Sequence, residues 1–375
     1  MSALEAAVVA QLHPDGAAIL DDVFDYLRRF VAYPSMHAQA AHTLWIAHTH
    51  FMDVWDTTPR IAFLSPEPGS GKSRALEVTE LLVPNPVIAV NATPAYLFRK
   101  IGQEDGRPTV LFDEIDTVFG PKARDNEETR GLLNAGYRKH SVAGRCTVRG
   151  KEVFTEELPA YCAVAMAGLG SLPDTILTRS IIVRMRRRAP GERIEPYRQR
   201  TNGPDAERIR ANLERWARSV TDDIGFSDMP EGVEDRNADV WEALIAVADA
   251  AGGVWPALAR ETAVTLVTEN KSKGGSLGVQ LLRDLRKVFG PAETMTTNAI
   301  LSTLHAMDES PWADLKGKPL DARGLGYRLS QYGIHPTTVR NGAAIAKGYK
   351  RYDMHDAWSR YLPDVPQPAS DGVEI

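Results

Sequence analysis

Between residues 61 and 186, short apolar runs alternate with stretches in which apolar residues recur three and four positions apart. The runs at 61–64, 86–93, 110–112, 162–168 and 179–186 have the length of buried strands. The intervals at 72–82, 94–101 and 126–140 carry helical spacing. Such alternation predicts an α/β fold with a parallel sheet covered by helices. Beyond 205 the pattern becomes helical: Ile209, Leu213, Trp216 and Val220 fall on one face. Residues 240–252 read as a mostly buried helix closed by Gly252 and Gly253, and 254–267 and 279–290 read as further helices. Trp241 and Trp255 are expected in this core. A smaller module follows. Thr296 or Thr297 caps a helix over 298–307, Leu325 and Leu329 point inward from 321–333, 334–354 holds a hairpin, and 353–362 closes the module. Helices plus a hairpin predict a winged-helix-like fold.

The expected organisation is therefore an N-terminal helical segment (1–40), an α/β core (41–188), a basic linker (189–204), a helical lid or bundle (205–290), a winged-helix-like domain (291–362) and a disordered tail (363–375).

Chemistry enters at 61-IAFLSPEPGSGKSRALEVTELL-82. An apolar strand runs into a glycine-rich loop and then a helix, the frame in which backbone N–H groups point at a phosphate. Gly69 and Gly71 allow close backbone approach, and Ser70 and Arg74 flank the phosphate position. Lys72 reaches the terminal phosphates and the Ser73 hydroxyl holds Mg²⁺. The string departs from G-x-x-x-x-G-K-[ST] at its first glycine, which is Pro66. Downstream, the run Val110-Leu111-Phe112 ends in Asp113-Glu114. Alone, two such acids would be read as caps or surface groups. After a phosphate loop they become a Mg²⁺ ligand, Asp113, and a base that orients and polarises water, Glu114. Asp116 is expected to be structural. The combination predicts ATP hydrolysis with Mg²⁺ as the only metal.

Composition narrows the classes. Net charge is −5, so no whole-protein attraction to nucleic acid follows, although a local patch can act. Cys146 and Cys162 are the only cysteines, which excludes a disulfide scaffold or a four-cysteine zinc site. His42, His48 and His50 lack metal-ligand spacing. With no basic leader and no 18-residue apolar stretch, a cytoplasmic location and no membrane partner are expected. The run 184-RMRRRAPGERIEPYRQR-200 carries seven arginines. Arg186, Arg187 and Arg188 are candidates for phosphate-backbone contact, and Tyr197 for stacking. In the winged-helix-like module Thr337, Thr338, Arg340, Lys347, Lys350 and Arg351 are candidates for DNA contact.

Several strings go further: 41-AHTLWIAHTH-50, 65-SPEPGSGKSR-74, 109-TVLFDEIDTVFG-120, 131-GLLNAGYRK-139, 166-MAGLGSLPDTILTRSIIVRMRRR-188, 235-DRNADVWEALIAVADAAGGVWPALAR-260 and 348-GYKRYDMHDAWSRYL-362. Together they resemble the family catalogued as domain of unknown function 3631, over roughly residues 40–363. That resemblance implies a P-loop NTPase core of AAA+-like type, related to phage and mobile-element helicase modules. It implies a possible DNA helicase, partners among replication or mobile-element proteins, and an oligomer, possibly a hexameric ring. Positions 1–40 are too few for a catalytic primase. The resemblance also makes Arg179 a candidate to reach a neighbour's ATP, with Arg138 and Arg145 as rivals. Asn134 would face the nucleotide or a neighbouring subunit, Ser171 is a weak sensor candidate, and Arg236 is a motif residue of open role. A protein-remodelling or regulatory ATPase without a DNA substrate is the alternative.

Overall fold

The computed structural model describes residues 15–89, 92–102, 107–119, 127–149, 152–170, 172–273, 277–307, 310–315, 317–341 and 344–362. The expectations for Ser171 and for the tail 363–375 lie outside these residues. The chain divides into two compact units, 1–270 and 271–375.

In the first unit the apolar runs become strands β1 (Arg60–Ser65), β2 (Pro86–Ile88) and β3 (Thr109–Phe112). A hairpin follows, β4 (Val142–Arg149) and β5 (Glu152–Pro159), then β6 (Ala163–Leu169) and β7 (Ser180–Arg184). Outside the hairpin the five strands form one parallel sheet in the order β2-β3-β6-β1-β7. Successive side chains on a strand face opposite layers. Ile61, Phe63, Ala163, Ala165, Ala167, Ile181 and Val183 therefore enter one core. Ala62, Leu64, Val110, Phe112, Val164, Met166 and Ile182 enter the other.

The first face is covered by α1 (Gly16–Phe30), α2 (Met36–His48) and α3 (Lys72–Glu80). Asp15 and Ser35 cap α1 and α2 through their side chains, at 3.3 and 3.2 Å. The second face carries α4 (Pro94–Ile101), α5 (Asp116–Phe119), α6 (Glu127–Ala135) and α7 (Asp174–Leu177). Helices α8 (Gln199–Val220), α9 (Arg236–Ala251) and α10 (Trp255–Lys273) return to the first face. There Trp216, Trp241 and Trp255 share one core with Tyr26, Phe30 and Trp45.

Three local outcomes differ from the sequence pattern. Strand β2 stops at Ile88, short of residue 93, because Thr93 caps α4 and Pro94 stands in its first turn. Helix α8 begins at Gln199, inside the segment read as a linker, and Tyr197 packs edge-on against Phe30, not outward as a stacking platform. The β4–β5 hairpin has no counterpart in the apolar pattern. Val142, Gly144, Thr155 and Glu157 are exposed, so at these positions the ribbon has no buried apolar face to announce it.

The second unit starts with α11 (Leu277–Phe289), whose Leu281, Leu282, Leu285 and Phe289 lie in that unit's core and not among the helices of the first. Then come β8 (Thr294–Thr296), α12 (Thr297–His305), α13 (Ala322–Ser330), β9 (Thr337–Asn341), β10 (Ala344–Lys350) and α14 (His355–Tyr361). The strands form an antiparallel sheet in the order β8-β10-β9. Two buried indoles are satisfied here: Trp312 donates to Asp284 at 2.8 Å and Trp358 to the Leu282 carbonyl at 2.9 Å.

Candidate functional site

The loop between β1 and α3 is shaped by its glycines. Gly69 (φ 75°) and Gly71 (φ 84°) both take left-handed backbone that a side chain would strain, and Gly71 stands immediately before α3. Ser65 closes the loop at its base, where its Oγ accepts from Glu67 N–H at 3.2 Å. Lys72 is buried, and its Nζ turns into the hollow to donate to the Glu67 carbonyl (3.2 Å) and to Ser70 Oγ (3.1 Å). Ser73 is exposed beside it. Arg74 instead pairs with Glu77 at 2.8 Å and lies over the Tyr197 ring at 5.0 Å.

The helix that carries Lys72 is fixed from behind. Thr79 donates to the Ala75 carbonyl (2.6 Å), so its oxygen accepts from His42 Nε2–H (2.8 Å). His42 Nδ1 in turn accepts from the Tyr33 hydroxyl (2.6 Å). This chain requires a neutral His42, and burial pulls its pKa down to about 3. Burial likewise lowers His48 to about 3 and His50 to about 4. His48 Nε2 meets Thr58 Oγ at 3.0 Å, and His50 Nε2 donates to the Leu82 carbonyl at 2.8 Å. Buried Cys162 is pushed up to about 11 by desolvation, which keeps it a thiol.

Two strands away lies the acid pair. Phe112, Met166 and Ala62 stand in line across β3, β6 and β1, so Asp113 leaves the sheet at the same edge as the glycine loop. Two strand spacings put these ends about 10 Å apart. Asp113 is half-buried and its Oδ1 accepts from the Glu114 N–H at 3.0 Å. Glu114 has φ 55°, an uncommon backbone for a residue other than glycine, and its side chain is exposed. Asp116 is structural: its Oδ1 accepts from Leu169 N–H at 2.9 Å, tying β3 to β6. The Gly170 N–H then donates to the Ser65 carbonyl at 3.0 Å, tying β6 to β1.

At the opposite edge a second cluster forms. The Arg179 carbonyl accepts from Arg60 N–H (2.9 Å), which places Arg179 at the start of β1 and not at its end. The length of β1 separates it from the loop by about 17 Å. Arg179 lies over the Tyr137 ring at 4.6 Å and Arg138 over the same ring at 5.2 Å. Arg236, from the first turn of α9, donates to Thr178 Oγ at 3.3 Å. These residues line a pocket of about 60 Å³ with Thr57, Thr58 and a single carboxylate, Asp239. Burial pushes the Tyr137 phenol up, but hydrogen bonds and charge from Arg179 and Arg138 outweigh it, and the net shift is downward. Beneath the cluster Arg60 is fully buried and donates to the Cys162 (2.9 Å) and Leu133 (3.1 Å) carbonyls, and desolvation lowers its pKa to about 10. The neighbouring Asn134 Oδ1 is buried and has no hydrogen-bond partner among the described residues. The rival Arg145 sits on β4, opposite Glu156.

The basic candidates separate into groups. Arg187 Nε donates to the Pro68 carbonyl of the glycine loop (3.0 Å) and Arg186 to the Pro34 carbonyl (3.3 Å), while Arg188 is exposed. On the hairpin of the second unit, Lys347 lies opposite Thr338 and Ile345 opposite Arg340, so these four share one face and all are exposed. Strand alternation puts Lys350 on the other face.

Comparison with known proteins bears on the C-terminal part of this arrangement. The family described as protein of unknown function DUF3631 matches residues 184–361. An uncharacterized 28.9 kDa protein from the xis 5′ region of Saccharopolyspora erythraea is 40% identical over 191 residues, which are 50% of this chain and 73% of that protein. The chain belongs to the DUF3631 family. The DUF3631 match begins at the last residue of β7, not near residue 40, so the glycine loop and the acid pair lie upstream of it. Among solved structures, the apo A form of the NrS-1 C-terminal region covers 90% of this DUF3631 chain and 75% of its own. Its TM-score is 0.36 at 12% identity, too low to carry an argument.

Sequence reading missed the grouping of Arg138, Tyr137, Arg179 and Arg236. Three of the four were noted separately, but they lie between α7 and β7, on α9 and in the segment after α6, and only the fold brings them together.

Proposed function

We propose that the protein is a Mg²⁺-dependent ATPase of AAA+-like, P-loop type whose sites are completed between copies of the chain. The observation that carries this reading is the division of groups between the two edges of one parallel sheet. The glycine loop and the acid pair leave at the carboxyl ends of β1 and β3, on either side of β6, where open α/β sheets bind ligands. The arginine pocket lies at the amino ends, a strand length away, too far to serve its own loop.

The loop fits a triphosphate. Its two left-handed glycines place no Cβ against a ligand, and Lys72 Nζ donates there to the Glu67 carbonyl and Ser70 Oγ, bonds that phosphate oxygens would replace. Ser73 and Asp113 would hold Mg²⁺, which when bound offsets phosphate charge. Lys72 orients and neutralises the terminal phosphates. Glu114, exposed beside Asp113, accepts a proton from the attacking water and aims it. Arg179, with Arg138 and Arg236, receives the charge that develops on a neighbour's phosphate.

The coupled task is DNA translocation, unwinding or remodelling in phage or mobile-element replication. Support comes from the basic hairpin face of Thr338, Arg340 and Lys347 and from Arg186, Arg187 and Arg188 beside the loop. A protein-remodelling or regulatory role is the second reading. It is favoured by Phe226, which is 93% exposed, and by Ile345, 65% exposed near the tip of the hairpin.

The test is ATP hydrolysis against protein concentration, with and without single- and double-stranded DNA, using Lys72→Ala as background. The reading predicts specific activity that rises with concentration and is stimulated by DNA. Hydrolysis indifferent to DNA transfers the proposal to protein remodelling, and no hydrolysis above the Lys72→Ala background refutes it.

A further inference from the structure

The second unit contains a cavity that neither the ATPase reading nor the hairpin face uses. It has a volume of about 370 Å³ and is lined by Arg286, Arg351, His355, Trp358, Ser359 and Leu362. Arg286 comes from the last turn of α11, Arg351 follows β10, and the rest belong to α14 or its end. The cavity therefore opens at the base of the β9–β10 hairpin, away from its tip.

Its chemistry is one-sided. Arg286 and Arg351 both line the space, and no carboxylate is among its described lining residues. Arg351 Nε is buried and has no hydrogen-bond partner among the described residues, although the Arg351 N–H is satisfied by the Glu293 carbonyl at 2.9 Å. A buried donor without a partner is an unmet demand for an acceptor. The nearby acid on α14, Asp356, is engaged elsewhere, by Arg360 at 2.8 Å. One wall is aromatic. His355 lies 5.8 Å from Trp358 and Tyr352 lies 6.2 Å from His355, centroid to centroid, so three rings form a row that ends in the exposed Tyr352.

We propose that this cavity binds a nucleoside phosphate, either free or at the end of a single strand. The guanidinium groups take the phosphate oxygens, including the acceptor that Arg351 Nε lacks. The rings, tilted to one another by 39° and 54°, offer the exposed His355 face at the cavity and Tyr352 beside it for stacking with a base. A volume of this size falls in the range of small-ligand sites, about 300–1,000 Å³. The site is independent of the glycine loop, and the proposal stands whether or not that loop hydrolyses ATP.

The experiment is titration calorimetry on the full-length Lys72→Ala protein, which removes the loop's own phosphate contact. The ligands are deoxyadenosine 5′-monophosphate, deoxyadenosine, and a short thymidine oligonucleotide with a 5′-phosphate or a 5′-hydroxyl. The monophosphate or the 5′-phosphorylated strand is expected to bind at least tenfold more tightly than its unphosphorylated counterpart. Preference confined to the strand assigns a strand end, and binding of the monophosphate without strand preference assigns the free nucleotide. His355→Glu places a carboxylate at an exposed position of the wall and should weaken binding at least tenfold with an unchanged melting curve. Arg351→Gln should do the same. The proposal is overturned by no binding of either phosphorylated ligand, by equal binding with and without phosphate, or by a folded His355→Glu protein that binds as tightly as its parent.

Discussion

His42, His48 and His50 show how much a single buried ring constrains this molecule. Each is held neutral by burial, with folded-state pKa values near 3 or 4 against an ordinary value of 6.5. The unfolded chain therefore binds protons that the native one refuses. Their contribution to stability is complete above pH 6.5 and is lost as pH falls to about 4 for His50 and about 3 for His42 and His48. Each ring contributes a slope of up to ~1.4 kcal/mol per pH unit in that window. Urea denaturation at pH 7 and pH 5 should show a marked loss at the lower pH, and His48→Gln should flatten the dependence by about a third. Equal stability at the two pH values would contradict the neutral network. At the same scale, Glu114→Gln should abolish turnover while ATP still binds in equilibrium dialysis. Lys72→Ala should lower turnover by on the order of 10²-fold or more.

Elements translate these residues into positions. Asp116 and Gly168 bring the ends of β3 and β6 together: a Cβ on Gly168 would come within 2.8 Å of the Ile115 side chain and 2.9 Å of Asp116 Oδ1. Gly168→Ala should therefore cost about 1–3 kcal/mol in denaturation experiments and lower turnover by displacing Asp113 and Glu114. Unchanged stability would show that the two strand ends separate freely. What sequence could disclose at this scale follows from burial. Strands β1, β3, β6 and β7 are buried on both faces and read as apolar runs, and α3 and α8 carry helical periodicity. The β4–β5 ribbon, exposed at Val142, Gly144, Thr155 and Glu157, leaves no such trace. The glycine loop and the acid pair were legible because each depends on neighbours in sequence. The arginine pocket was not, because Tyr137, Arg179 and Arg236 meet only through the order of strands and the return of α9 to the sheet.

On the scale of the whole molecule, two units with separate cores make different predictions for ligands. Mg²⁺-ATP at about 100 times its dissociation constant should stabilise the unit that binds it by ~2.7 kcal/mol. Hydrogen exchange should then slow in α3 and β1, and protection confined to the second unit would contradict the assignment. Among the described residues no helix is long and apolar enough to cross a membrane. On the proposed reading, in which an arginine reaches the phosphates, the separation of loop and arginine pocket by the length of β1 calls for two copies in head-to-tail contact, the arrangement that generates rings or filaments.

That requirement is tested most directly by mixing two inactive variants, Glu114→Gln and Arg179→Ala, and measuring ATP hydrolysis at a concentration where the wild-type protein is active. Each variant alone should be inactive. In an equal mixture, a site is complete when its own chain retains Glu114 and its neighbour retains Arg179, so random assembly should restore about a quarter of wild-type activity. A mixture no more active than its separate components, or full activity of Arg179→Ala alone, would contradict a site shared between copies.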